Sequence, residues 1–343
     1  MSVVPSHVAY ADLNPDRVLR TLDALSMHGD GRLLQLNSYE NRVFQVFLEG
    51  GDVVVAKFYR PSRWSDAQIL EEHTFARELA ADDVPVVAPR VLSGSAEVDV
   101  FGEPPTLACW RGGANAHRVA VSDRHAGRAP ELEDASALQW LGRFLGRLHA
   151  VGARRPFAHR RSMDVATFGH AACRRLLDGG FVPDTQLAPW TSWCQAALER
   201  VDRAFAAHSD VPRLRVHGDF HPGNIMWRDE GPHVVDLDDA CNGPAVQDVW
   251  MLLSGDSTEM RVQLAHILAG YRTFKAFDER ELALIEPLRT LRMIHHSAWI
   301  AERWTDPAFP AAFPWFGTAA YWSQQATQMR EQVEAMDDPP LLC

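Results

Sequence analysis

The densest supply of reactive side chains lies at residues 213–240, RLRVHGDFHPGNIMWRDEGPHVVDLDDA. Leu214 and Val216 mark a short strand that delivers His217-Gly218-Asp219, and Pro222-Gly223 turn the chain into Asn224. A second strand over 225–227 leads to a turn that returns through Val234-Val235 to Asp236. A carboxylate, an amide oxygen and a second carboxylate thus converge on one hairpin mouth. Phosphoryl transfer uses such a set: a carboxylate to take the proton of an attacking hydroxyl, an amide oxygen on magnesium, and a carboxylate joining that metal to the phosphates. Asn224 stands five residues after Asp219, the D-x-x-x-x-N spacing of kinase catalytic loops.

The same residues could be read otherwise. His217, Asp219 and His221 mimic a facial metal triad, but Pro222-Gly223 turn the chain before three side chains can share a face, and His217 fits better as a packed loop anchor. Asp236-Leu237-Asp238 mimics the D-x-D of phosphatases that form an aspartyl phosphate. That chemistry wants a strand opening a βαβ unit, whereas here a hairpin precedes it and helices follow. Asp238 and Asp239 read as loop carboxylates, either of which could meet a second metal. Asp248, among Val246, Val249, Leu252 and Leu253, reads as a structural carboxylate accepting backbone N–H groups rather than as a catalytic group.

The elements that must position these groups follow from periodicity. Asn14-Pro15-Asp16 opens an amphipathic helix closed by Gly29. Two strands joined by a hairpin at 49–52 are expected between Leu33 and Phe58, ending on VVVAKF. Ser65 and Gln68 have capping-box spacing at the head of a helix over about 65–80. Apolar runs at 90–93, 98–101 and 106–110 extend the sheet, and Gly112 and Gly113 open a linker over 112–131. Helical spacing then dominates at 134–150, 187–207, 245–253, 258–275 and 279–303, interrupted by the β-rich stretch 213–239.

With its HGDFHPGN loop and following VVD strand, the chain resembles the aminoglycoside phosphotransferase-like kinases. The strings NSYENRVFQV, VAKFYRPSRWSDAQILEEH, HGDFHPGNIMW, VDLDDACNGPAVQDVWMLL and DPAFPAAFPWF resemble the stress response kinase A family in particular, from about Leu13 to Leu341. The resemblance implies an α+β, bilobal protein-kinase-like fold. A small antiparallel-sheet N-lobe would span 1–110 and a larger, mainly helical C-lobe 111–343, joined near 107–113, with ATP in the cleft. By position it implies Asp219 as the catalytic base and Asn224 and Asp236 as magnesium ligands, Asp236 serving catalysis as well. Lys57 would be the phosphate-facing lysine, with Glu72, or Glu71 if the helix phase slips by one, as its ion-pair partner. Ser38 would sit over the nucleotide phosphates, in a turn without glycine, so that backbone amides and the hydroxyl must supply the anion contacts. Taken alone, Lys57 would read as a solvated edge lysine; three valines before it and the long helix after it favour the other reading.

Composition bounds what remains. At 343 residues, with 46% hydrophobic and 23% charged residues, the chain is long enough for a large core and too ordinary for disorder. Thirty-four basic against 45 acidic side chains give a net charge of −11, which disfavours nucleic acid. No window is apolar enough for a membrane span, and the N-terminal residues lack a signal-peptide pattern, so a cytoplasmic protein without membrane association is expected. Five cysteines without a CxxC pair fit neither a disulfide framework nor a zinc knuckle. Trp299, Trp304, Trp315 and Trp322, with the DPAFPAAFPWF segment, read as a hydrophobic clasp on the helical part, a substrate groove being the alternative.

The expectation is therefore a monomeric, Mg2+- and ATP-dependent serine/threonine protein kinase of a bacterial stress response, phosphorylating protein substrates and in part itself. Two alternatives stand beside it. One is a kinase for a small hydroxyl compound (aminoglycoside, homoserine or choline-like), favoured by the short interval from Asp236 to Asp248, which leaves little room for a peptide-binding activation loop. The other is a silent nucleotide-binding module, which the intact set of Lys57, Asp219, Asn224 and Asp236 disfavours.

Overall fold

Three valines and an alternating burial pattern set the first part of the fold. The computed structural model describes residues 10, 12–110 and 117–342. In it β1 (Gly29–Leu36), β2 (Arg42–Leu48), β3 (Val53–Phe58), β4 (Val98–Phe101), β5 (Leu107–Trp110) and β6 (Arg118–Asp123) form one antiparallel sheet in the order β1-β2-β3-β6-β5-β4. Along β3, Val54, Ala56 and Phe58 are fully buried in the core with Val18 and Leu22 of α1 (Pro15–Ala24). Because successive side chains of a strand point to opposite faces, Lys57 is turned to the other side. There α2 (Asp66–Ala81) packs Ile69 against Leu107, Ala120 and Tyr59. The helix is tied to the sheet by a buried polar clamp: the Tyr59 hydroxyl meets His73 Nε2 at 2.8 Å, and His73 Nδ1 meets Thr106 Oγ1 at 2.9 Å.

Both caps read from the sequence are present. Asn14 accepts the amide of Arg17 at the head of α1, and Ser65 and Gln68 form a reciprocal capping box on α2. Four expectations needed correction. Gly29 does not close α1 but begins β1; the left-handed residue after the helix is Ser26, at φ 62°. Residues 33–58 contribute to three strands rather than two, since β1 is a half-polar edge strand whose pairing with β2 is irregular between Gly29 and Leu33, so alternation does not reveal it. The proposed linker contains β6, whose Val119, Ala120 and Val121 are buried between β3 and β5, and the run at 90–93 forms no strand. Gly112 and Gly113 lie outside the described residues.

The chain divides into two compact units. The first runs through Ala129 and takes in Ile225–Asp238; the second comprises Pro130–Asn224 and the residues from Asp239 onward. Within the first unit, β8 (Ile225–Arg228) and β9 (Gly231–Val234) form a hairpin. The Val86 and Val87 backbone reaches it through a bridge from Val86 to Val234 and a hydrogen bond donated by the Val87 N–H to the Val234 carbonyl.

The second unit is helical apart from a two-stranded ladder of β7 (Leu214–Val216) and β10 (Cys241–Gly243). Its helices are α3 (Ala135–Gly152), α4 (Ala172–Asp178), α5 (Asp184–Ala207), α6 (Val246–Trp250), α7 (Ser257–Tyr271), α8 (Ile285–Glu302), α9 (Ala308–Ala312) and α10 (Ala319–Asp337). Helix α10, not marked by a clear apolar period, packs along α5, where Trp190 and Trp322 meet edge to face at 5.4 Å. Phe309, Phe316 and Trp322 are fully buried, and Trp299 packs on Phe309 at 5.0 Å, so most of the C-terminal aromatic segment is a clasp; Trp315 stays 40% exposed.

Helices α3 and α7 approach each other through glycine. A β-carbon built on Gly142 would lie 2.0 Å from the Ile267 carbonyl oxygen, and one on Gly146 would lie 2.5 Å from that of Tyr271. Gly142→Ala is therefore expected to force the helices apart and cost about 1–3 kcal/mol. Gly50→Ala, where a β-carbon meets nothing within 4 Å, should stay within about 0.5 kcal/mol of the parent. Urea unfolding midpoints would distinguish the two, and equal midpoints would contradict the packing argument.

Candidate active site

In the second unit the site grows from β7. Beyond Val216 the chain enters His217 and Gly218, and both backbone amides donate to one carboxylate: His217 N–H to Asp248 Oδ2 at 2.7 Å and Gly218 N–H to Asp248 Oδ1 at 2.9 Å. Asp248 is fully buried on α6 and also accepts from His149 Nε2 of α3 at 3.0 Å. The His149 ring is held from its other nitrogen by the Tyr271 hydroxyl of α7, again at 3.0 Å. Helix α6 is itself capped by Glu281, whose buried carboxylate accepts the Val246 amide at 2.8 Å; burial pushes the Glu281 carboxyl up to about 7. Gln247 adds a bond from Nε2 to the Gly218 carbonyl at 2.9 Å. Gly218 is at φ 84°, and a β-carbon there would lie 2.3 Å from the Asp239 carbonyl oxygen, so glycine is required on both counts.

This brace delivers Asp219. Phe220, fully buried, stacks on Phe144 of α3 at 5.6 Å and anchors the loop from below. The loop closes on itself: the Asn224 side-chain amide donates to the Asp219 carbonyl at 2.9 Å, and the Asn224 and His221 backbone amides bond His221 O and Asp219 O. With its N–H2 so engaged, Asn224 presents its amide oxygen as an acceptor. The Asp219 carboxylate is met by Arg292 of α8, Nη1 to Oδ1 at 2.6 Å, and by His221 Nε2 at 3.5 Å. Burial alone would raise this carboxyl; the His221 imidazole and the Arg292 guanidinium override it and hold it well below the usual carboxylate range.

In the first unit a separate cluster grows from β3. Lys57 Nζ lies 2.9 Å from Asp238 Oδ1 and 3.2 Å from Asp236 Oδ1, and 5.0 Å over the Tyr59 ring. Burial alone would lower this ammonium; Asp238, Asp236 and Glu72 raise it well above the ordinary lysine range. On α2 Glu72 is buried toward the sheet, whereas Glu71 is only half-buried. Asp236 is half-exposed at φ 62°, a left-handed backbone that aspartate adopts at a cost of about 1–2 kcal/mol, of the kind that clusters at functional sites. Ser38 lies between β1 and β2 and accepts the Asn41 amide at 3.3 Å; no residue of 37–41 has positive φ, so that turn needs no glycine.

Sequence reasoning missed the depth of Asp238. It is 3% exposed, and besides Lys57 it is held by Asn41 Nδ2 at 3.2 Å and by the Arg63 guanidinium. Asn41 in turn accepts the Arg60 amide, and Arg60 pairs with Glu40 at 2.9 Å. The NSYEN turn, β3 and Asp238 are thus one polar network. A second aspartate two residues beyond Asp236 was its signal in the sequence. Arg292 had none, lying far along the chain within an ordinary helix. Asp239 lies in the second unit and pairs with Arg161 at 3.0 Å.

The model of the phosphotransferase enzyme family matches residues 32–285, which contain all of these groups except Arg292. The chain belongs to that family. It is a phosphotransferase, and it is 41% identical over 332 residues to stress response kinase A of Salmonella choleraesuis, covering 97% of this chain and 96% of the relative. The serine/threonine protein kinase RdoA of Salmonella typhimurium matches at the same identity and coverage. These matches make it a member of the stress response kinase A family. Among solved structures, amicoumacin kinase hAmiN in complex with AMP-PNP, Ca2+ and Ami is similar in fold, with a TM-score of 0.70 over 95% of this chain and 94% of that one at 19% identity. This phosphotransferase accordingly has the α+β, protein-kinase-like fold that its sequence implied.

Asp248 ties down the backbone of the loop at His217 and Gly218. Asp248→Asn would turn an N–H2 toward at least one of three donors, an arrangement expected to cost about 1–3 kcal/mol. It should speed exchange of the His217 and Gly218 amide protons and lower turnover at least about tenfold. Unchanged exchange at both amides would refute the bracing role.

Proposed function

We propose that this phosphotransferase moves the γ-phosphoryl group of Mg-ATP to serine and threonine hydroxyls of proteins. The observation that carries the transfer chemistry is the closed loop 219–224, which fixes a charged carboxylate and an outward amide oxygen five residues apart. Asp219 would orient the acceptor hydroxyl and take its proton. Lys57, with three donors on a head already poised between two carboxylates, would hold phosphate oxygens. Ser38 and the amides of 37–41 would cover the phosphates.

Asn224 and Asp236 suit magnesium, since both offer hard oxygens, and an ion that keeps waters and phosphate ligands needs only one or two protein groups. When bound, magnesium neutralises charge developing on the phosphates. The chain's own residues orient the hydroxyl, accept its proton and anchor the phosphates.

The acceptor class rests on near full-length similarity to a protein named a serine/threonine protein kinase. We take its substrates to be proteins rather than nucleic acid or membrane lipid, and its working form to be a monomer in the cytoplasm. Among the described residues no helix is long and apolar enough to cross a membrane. A second reading, a small hydroxyl compound as acceptor, is favoured by the interval between Asp236 and Asp248. It is filled by a single 3-10 turn, Leu237–Asp239, and by β10, with no extended segment on which a peptide could rest.

Asp219→Asn should lower turnover by about 10²- to 10⁴-fold while leaving nucleotide affinity nearly unchanged, and Lys57→Ala should weaken nucleotide binding as well. Chelation of divalent cations should abolish activity, and magnesium or manganese should restore it. Phosphoamino-acid analysis after incubation with Mg-ATP and generic proteins should show phosphoserine and phosphothreonine. A blank on every polypeptide with rapid turnover of one small hydroxyl compound would establish the second reading instead.

A further inference from the structure

The charged and ionisable groups that bear on Asp219 come from its own loop and from α8. The side chains acting on its charge are His221, Arg292 and His217. From α8, Arg292 places Nη1 2.6 Å from Asp219 Oδ1 while its side chain stays 40% exposed, so the guanidinium reaches the base and solvent at once. One turn on, His296 is packed flat against Trp299, ring centroids 5.7 Å apart, within the electrostatic reach of both Arg292 and Asp219. Arg289, Arg292, His296 and Trp299 follow one another at helical spacing along one face of α8. Arg289 is neutralised by Glu286 at 2.7 Å and lies over Trp250. Arg292 is paired with the proposed base itself and, at 40% exposure, still has guanidinium N–H groups facing solvent directly beside it.

That placement bears on the acceptor. A hydroxyl compound carrying an ammonium close to its reacting oxygen would have to bring like charge against Arg292, and like charge is a strong instrument of rejection. An anion beside the hydroxyl would be drawn in, because a guanidinium is a planar fork with five donors that can serve two carboxylates from different edges. We propose that Arg292 determines specificity, selecting serine or threonine flanked by acidic side chains and rejecting cationic acceptors. This rests on the reading of the protein as a kinase for protein hydroxyls, which it narrows to acidic peptide segments.

The test compares serine peptides identical except for two flanking positions occupied by Glu, Ala or Lys, with kcat and KM measured separately in Mg-ATP. The parent should use the Glu peptide at least about tenfold better than the Lys peptide in kcat/KM, mainly through KM. Arg292→Lys should keep the preference, Arg292→Gln should flatten it, and Arg292→Glu should invert it, each judged against the Ala peptide of the same variant so that general damage to the site cancels. Parent enzyme that phosphorylates all three peptides equally would overturn the proposal and leave the protein-kinase reading standing. The same holds for a preference unmoved by Arg292→Glu. Parent enzyme that ignores every peptide but phosphorylates choline or an aminoglycoside would overturn both. The parent comparison decides even if a variant fails to fold.

Discussion

One buried carboxylate holds the chemistry of the second unit in place. Asp248 receives the amides of two consecutive residues, His217 and Gly218, on its two oxygens, and the next residue in the chain is Asp219. Two N–H groups locked to a rigid acceptor leave the following Cα little freedom, so the position of Asp219 is inherited from a helix rather than from its own loop. The brace is supported in depth. His149 and Tyr271 come from α3 and α7, and those helices can bring the two rings together because Gly142 and Gly146 let their backbones touch. Buried polar chains of this kind are costly when incomplete and stiff when complete, and here Asp248 has a donor on each oxygen.

The first unit solves a different problem. A largely buried cation must be compensated, and Lys57 is kept in place by two carboxylates of unlike character. Asp238 is buried and already bonded to Asn41 and Arg63, while Asp236 is half-exposed on a strained backbone. The buried member fixes the lysine; the exposed one keeps an oxygen edge toward water. Neutralising Asp238 would thus loosen the lysine and the NSYEN turn together.

Local signals were the legible ones. The capping box at Ser65 and Gln68, the valines before Lys57, the spacing from Asp219 to Asn224 and the apolar neighbours of Asp248 each sit within one short window, where periodicity and turn chemistry operate. What escaped depends on partners distant in the chain. β6 has only three buried residues in a polar neighbourhood and is a central strand because β3 and β5 lie on either side. Asp238 looked like a loop carboxylate because Lys57, Asn41 and Arg63 are some 175 to 197 residues away. Helix α10 offers a thin apolar stripe, and only the Trp190 ring from α5 makes Trp322 a core residue.

The hairpin β8–β9 belongs to the unit built by the first 129 residues, although the chain reaches it only after ninety-five residues of the other unit have been laid down. Neither unit is therefore a contiguous gene segment. A fragment ending at Ala129 would keep Lys57 and lose both carboxylates that hold it, along with the strand edge that Val86 and Val87 bond to. During synthesis the amino-terminal sheet must wait for the hairpin to emerge before its lysine is neutralised. Completion of the Lys57 cluster is thereby coupled to translation well into the second half of the message.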